Sequence, residues 1–96
     1  MERNEKKVKV EVNEEKKIPV FSNVLFLHVN ESEFILDFGF FQPQEPVAEI
    51  VARVATTPFH AKRFLMILEN SIKQYEQTFG EIKVDQKKLP LEGGVN

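Results

Sequence analysis

Hydrophobic and polar positions alternate through the first half of the chain, and the second half changes to a helical period. Val8-Lys9-Val10-Glu11-Val12 alternates strictly, which predicts an edge strand with one charged face. A charged arm is the competing reading, because three valines offer little area to bury. Asn13 to Lys17 reads as a solvated loop. Val20 to Val29 predicts a strand with Asn23, Leu25, Leu27 and Val29 on one face and Val24, Phe26 and His28 on the other. Asn30-Glu31-Ser32 is a turn. It leads into Glu33 to Phe41, with Phe34, Leu36, Phe38 and Phe40 opposite Ile35, Asp37, Gly39 and Phe41, so these two segments should form a hairpin. The loop Gln42-Pro43-Gln44-Glu45-Pro46 is punctuated by two prolines, each restricting itself and the residue before it. Val47 to Thr56 alternates again, with Ala48, Ile50, Ala52 and Val54 opposite Glu49, Val51, Arg53 and Ala55.

The period then lengthens. Thr57 is a good N-cap, Pro58 suits the first helical position, and Gly80 suits the position after the last turn. Between them Ala61, Leu65, Leu68, Ile72, Tyr75 and Phe79 recur at spacings of four and three, one continuous stripe that should be buried. The fold class expected is α+β: an antiparallel β-meander of three to four strands followed by one long C-terminal α-helix. Residues 1–17 form a charged leader containing the edge strand, residues 18–82 a single α+β domain, and residues 83–96 a mobile C-terminal tail; within the last sixteen residues, Glu81 to Val84 is a short candidate strand.

One helix covers one face of a sheet, and the other face should then read polar at alternate positions. Here both faces are apolar, since Val24, Phe26, Ile35, Phe41 and Val51 lie opposite the leucine- and phenylalanine-rich set. On the helix, Phe59 and Met66 lie about 150° from the main stripe and Ile67 about 120° to its other side. Phe26, Ile35, Phe41, Phe59, Met66 and Ile67 are therefore the residues expected at an oligomer or partner interface, because exposed apolar patches mark interfaces and symmetric homodimers are the commonest way to bury them. The alternative is that the leader or tail folds over the second face within one chain.

Size and charge narrow the classes. At 96 residues and 11.2 kDa the chain is one small domain, and a compact monomer of this mass should expose about 5,700 Å² and bury roughly 65% of its unfolded surface. The net charge is −2, with a pI near 5.7, so no nucleic-acid partner is expected. Residues 18–57 carry one basic and five acidic side chains together with six of the nine phenylalanines, so apolar mass and negative charge coincide. With no cysteine, disulfides and thiolate chemistry are excluded. The longest uncharged run, Ile18 to Asn30, is too short to span a bilayer, and the polar N-terminus lacks the apolar stretch of a signal peptide. No membrane partner and a cytoplasmic location are the expectation.

Candidate chemistry is sparse. His28 shares a strand face with Val24 and Phe26 and reads as a core histidine. His60, in the first helical turn, reads as a packing or capping residue. Asp37 and Arg53 occupy apolar-rich strands and read as a cross-sheet ion pair. Asp37, Arg53 and His60 are nevertheless the one candidate polar site. Two histidines without close carboxylates fail the usual metal spacings, and no glycine-rich phosphate loop exists. No catalytic residue, metal or cofactor is expected, and the chain is not read as an enzyme.

Four segments together resemble the DUF3467 family of small uncharacterised prokaryotic proteins: Phe21-Ser22-Asn23-Val24, Ser32 to Phe38, Thr57 to Leu65, and Tyr75 to Ile82. The resemblance spans about residues 20–82, leaving the leader and the tail outside it. It implies a bacterial or archaeal intracellular protein and no particular activity. A meander followed by a long helix is also similar in plan to SecB export chaperones, which associate as a dimer of dimers; no motif carries that similarity. Three readings follow. The first is a non-enzymatic homo-oligomeric protein-interaction domain, a dimer or dimer of dimers. The second is a SecB-like holdase that binds unfolded polypeptide. The third is a small-ligand-binding domain using Asp37, Arg53 and His60 between sheet and helix.

Overall fold

In a computed structural model of the chain, residues 7–85 and 93–95 are described. Three antiparallel strands, β1 (Val24–Val29), β2 (Phe34–Phe41) and β3 (Ala48–Thr56), lead into one helix, α1 (Pro58–Phe79). A short strand near the C-terminus, β4 (Gly93–Val95), runs parallel to β1 along Phe26–His28, giving the order β3-β2-β1-β4. The α+β meander is as the alternation predicts, with three antiparallel strands.

Each connection is closed by local chemistry. The Asn30 carboxamide oxygen accepts from the N–H groups of Ser32 and Glu33 at 2.8 and 2.9 Å, which turns the chain between β1 and β2. The β2–β3 loop turns on a bond from the Glu45 N–H to the Gln42 carbonyl at 3.1 Å, with Pro43 presetting φ between them. Ahead of β1, the Asn23 side chain accepts from the Phe41 N–H and donates to its carbonyl, both at 2.9 Å, so a side chain continues the ladder one step beyond the strand. Thr57 caps α1 by accepting from the His60 N–H at 3.1 Å. Gly80 ends it with φ at 104°, a left-handed value that glycine tolerates, and its N–H bonds the Glu76 carbonyl.

Register places Leu25, Leu27, Phe34, Leu36 and Phe38 on the face toward α1, and Val24, Phe26, His28, Ile35, Asp37 and Gly39 on the other. The alternation of β3 does not run through unbroken. Phe38 pairs with Ala52 but Gly39 pairs with Ile50, leaving Val51 as an extra residue in a bulge. Ile50 therefore joins Gly39 on the face away from α1, opposite to its expected set. The crowding at Gly39 is severe: a Cβ there would meet Val24 Cγ2 at 3.0 Å and the Glu49 carbonyl oxygen at 3.2 Å. Val24, 3% exposed, fills the space the missing side chain leaves, and with Leu36 at 8% it makes up the buried apolar core among the described residues.

Expectations are corrected in three other places: the leader, the limits of the strands, and the helix. Val8 to Val12 forms no strand and is exposed, with a single 3-10 turn following at Glu14–Lys16. Three valines do not repay the entropy of ordering a leader. Val20 to Asn23 is likewise not part of β1, and Glu81 to Val84 is not a strand; there the Ile82 N–H bonds the Glu76 carboxylate at 2.9 Å instead. The expected mobile tail, 83–96, falls mostly on residues outside those described. The third correction concerns the helix. Its stripe is not buried against the sheet: Leu68 and Ile72 remain 43% and 39% exposed, and Leu65, Tyr75 and Phe79 more so. The two layers touch only lightly, and among the described residues the stripe stays partly open along its whole length.

Candidate functional site

The six residues expected at an interface fall on two separate surfaces. Phe26, Ile35 and Phe41 lie half-buried on the sheet face away from α1, where Ile50 joins them through the bulge. Phe59, Met66 and Ile67 are exposed on α1. Phe59 is partly engaged, since the Arg63 guanidinium sits 5.7 Å above its ring. Met66 and Ile67 line a shallow depression with Arg63 and Asn70.

A third surface was not foreseen as open. Between α1 and the sheet runs a groove of about 350 Å³, walled by Leu25, Leu27, Phe34 and Leu36 on one side and by Ala61, Phe64, Leu65 and Leu68 on the other. Its walls are almost wholly apolar. A neighbouring cavity of about 390 Å³ continues it past Phe38, Val54 and His60. Binary patterning finds each wall separately but cannot show that they stand apart.

The candidate polar site is split by the sheet. Asp37 and Arg53 do meet, as their cross-strand register requires, with Arg53 Nε donating to Oδ1 at 2.6 Å and Nη2 to Oδ2 at 2.9 Å. His60, however, lines the cavity beside Leu36 and Phe38, on the face opposite Asp37. The histidine that joins the pair is His28, whose Nε2 lies 3.4 Å from Asp37 Oδ2. Its place on β1, on the same face as Phe26, was legible; its diagonal reach to Asp37 needed the hairpin register.

Arg53 holds the Asp37 carboxyl below its ordinary range, mainly through the bidentate bond and then by charge, against the opposing effect of desolvation; His28 adds a smaller share. Reciprocally, the bond to Asp37 raises Arg53 further. A carboxylate at 3% exposure with both oxygens bonded and its proton affinity lowered is a poor general base. Its arrangement is that of a neutralised pair that lets an aspartate sit inside an apolar sheet. The ligand pocket between sheet and helix built on Asp37, Arg53 and His60 therefore does not form.

No described helix is long and apolar enough to cross a membrane. The accessible surface is 9307 Å², an excess of about 3,600 Å² over a compact monomer of this mass. The radius of gyration is 16.9 Å, against about 12.5 Å for a compact chain of this length. The exposed leader and the uncovered helix both add to these values.

Comparison with known families gives a match over residues 1–84 to the family model described as Protein of unknown function (DUF3467). The leader thus lies inside the family match, not outside it as expected. No curated protein and no solved structure matches the chain.

Proposed function

The chain belongs to the DUF3467 family, and on that footing we propose that it is a non-enzymatic, cytoplasmic, prokaryotic protein-interaction domain that works as a homo-oligomer. The observation that carries this reading is the uncovered stripe of α1, six apolar positions on a well-capped helix that its own sheet does not bury. Light scattering over a dilution series tests it. A dimer or larger species is expected, and a monodisperse monomer at every concentration overturns it.

The second reading, a SecB-like holdase, draws support from the sheet face away from α1, where Phe26, Ile35 and Phe41 stay partly open. The acidic middle of the chain would favour basic segments of an unfolded client. This reading expects suppression of client aggregation that weakens as salt is raised, as charge-assisted contacts do, and it fails if the assembled protein leaves client aggregation unchanged.

A further inference from the structure

We infer that the partner of α1 is α1 of a second copy, running antiparallel, with the C-terminal half of each helix seated in the groove between the other chain's sheet and helix. This rests on the homo-oligomer reading and specifies its geometry. The stripe Ala61, Leu65, Leu68, Ile72, Tyr75, Phe79 has the same spacing read from either end, centred beside residue 70. Antiparallel pairing about a two-fold axis there sets Leu68 against Ile72 of the second copy, Leu65 against Tyr75, and Ala61 against Phe79. The smallest side chain of the stripe thus meets an aromatic ring at each end. Parallel pairing would put Ala61 on Ala61 and Phe79 on Phe79, a gap at one end and a crowd at the other.

The flanking positions select the same direction. One flank carries Lys62, Glu69 and Glu76; the other carries Phe64, Ser71 and Thr78. In antiparallel helix pairs each flank meets its own counterpart, so Lys62 faces Glu76 of the second copy twice, against a single Glu69–Glu69 encounter at the axis. In a parallel pair the charged flank would face the uncharged one and gain nothing. Glu76 already accepts from the Ile82 N–H through Oε2, which leaves Oε1 to receive the lysine.

The groove fits this arrangement. Its walls are the first half of the α1 stripe and the adjoining sheet face, while Ile72, Tyr75 and Phe79 lie beyond the groove and are themselves 39%, 50% and 72% exposed. Two copies related by a two-fold axis exchange these parts, and each covers what the other leaves open.

The absence of cysteine makes the geometry directly testable. Ser71→Cys places a thiol beside the two-fold axis, where it meets its own counterpart; Asn70→Cys, one residue earlier and facing outward, is the control. Under mild oxidation Ser71→Cys should convert to a covalent dimer within the assembled species, and Asn70→Cys should not. Lys62→Glu should raise the dimer dissociation constant about tenfold, and adding Glu76→Lys should restore it to within about threefold of the parent. A dimer by light scattering that neither cross-links through Ser71→Cys nor responds to the charge swap overturns the antiparallel helix pair while leaving the homo-oligomer reading intact. A monomer overturns both.

Discussion

Gly39→Ala probes the tightest point of the sheet. The added methyl would lie 3.0 Å from Val24 Cγ2, 3.2 Å from the Glu49 carbonyl oxygen and 3.6 Å from Ile50 Cδ1. Neither of the two nearest atoms yields easily. Val24 is buried and branched, and the Glu49 carbonyl belongs to backbone held beside the bulge. Overpacking of this kind costs about 1–3 kcal/mol, and exchanging glycine for alanine within a strand returns about 0.5–1 kcal/mol, so a net loss of about 1–2 kcal/mol is expected. With no tryptophan in the chain and its single tyrosine on α1, far-UV circular dichroism is the suitable signal. Urea unfolding at one fixed protein concentration should show the midpoint falling by about 1–2 M, for a slope near 1 kcal/mol/M. Val24→Ala vacates the position of Cγ2, so the double variant should be less destabilised than the two single losses together by about 1 kcal/mol. A Gly39→Ala protein as stable as its parent, or strict additivity in the double variant, would refute the close-approach argument.

Three further outcomes are expected. Because Arg53 lowers the Asp37 carboxyl, this group adds stability that is complete above its unfolded value near 3.9 and is lost as pH falls through its lower folded value. The difference in urea midpoint between the parent and Asp37→Asn should therefore be largest near neutral pH and shrink below about pH 4; a gap that widens in acid would contradict the pairing. Thr57→Ala should cost about 1 kcal/mol of helix stability while Thr57→Ser costs little, measured by thermal unfolding followed at 222 nm. Leu68→Ala should raise the dimer dissociation constant more than tenfold, and its effect on the thermal midpoint should shrink as protein is diluted, since Leu68 is half-exposed in one chain.

What could be read without coordinates follows from how local each cause is. The limits of α1 are set by Thr57, Pro58 and Gly80, whose effects act within one turn, and the helix begins and ends where those residues place it. The hairpin turn at Asn30 is equally local. The bulge at Val51 is not, because it sits where β3 passes Gly39 and Val24, and no pattern within β3 announces it. The polar cluster was half legible. Asp37 and Arg53 read as a pair across the sheet because both stand in apolar-rich strands, but whether His28 or His60 joins them depends on which side of the sheet the helix lies. The leader shows the limit of period-2 reasoning, since alternation describes how a segment could pair and says nothing of whether a free edge and enough apolar area exist to hold it.

A chain that leaves this much apolar surface uncovered faces the hazard of associating without end, and the sheet carries a stop. One edge is occupied along Phe26–His28 by Gly93–Val95. The other edge is β3, and there the extra residue at Val51 interrupts the outward row of N–H and C=O groups at mid-strand, with Glu49 and Arg53 on either side. An incoming strand would need a straight row to read from and finds a broken one. In the two-fold pair proposed above, contacts between copies rest on side chains around a symmetry axis, which close on themselves, and the interrupted β3 edge gives the open-ended addition of strands that builds fibres a poor place to start.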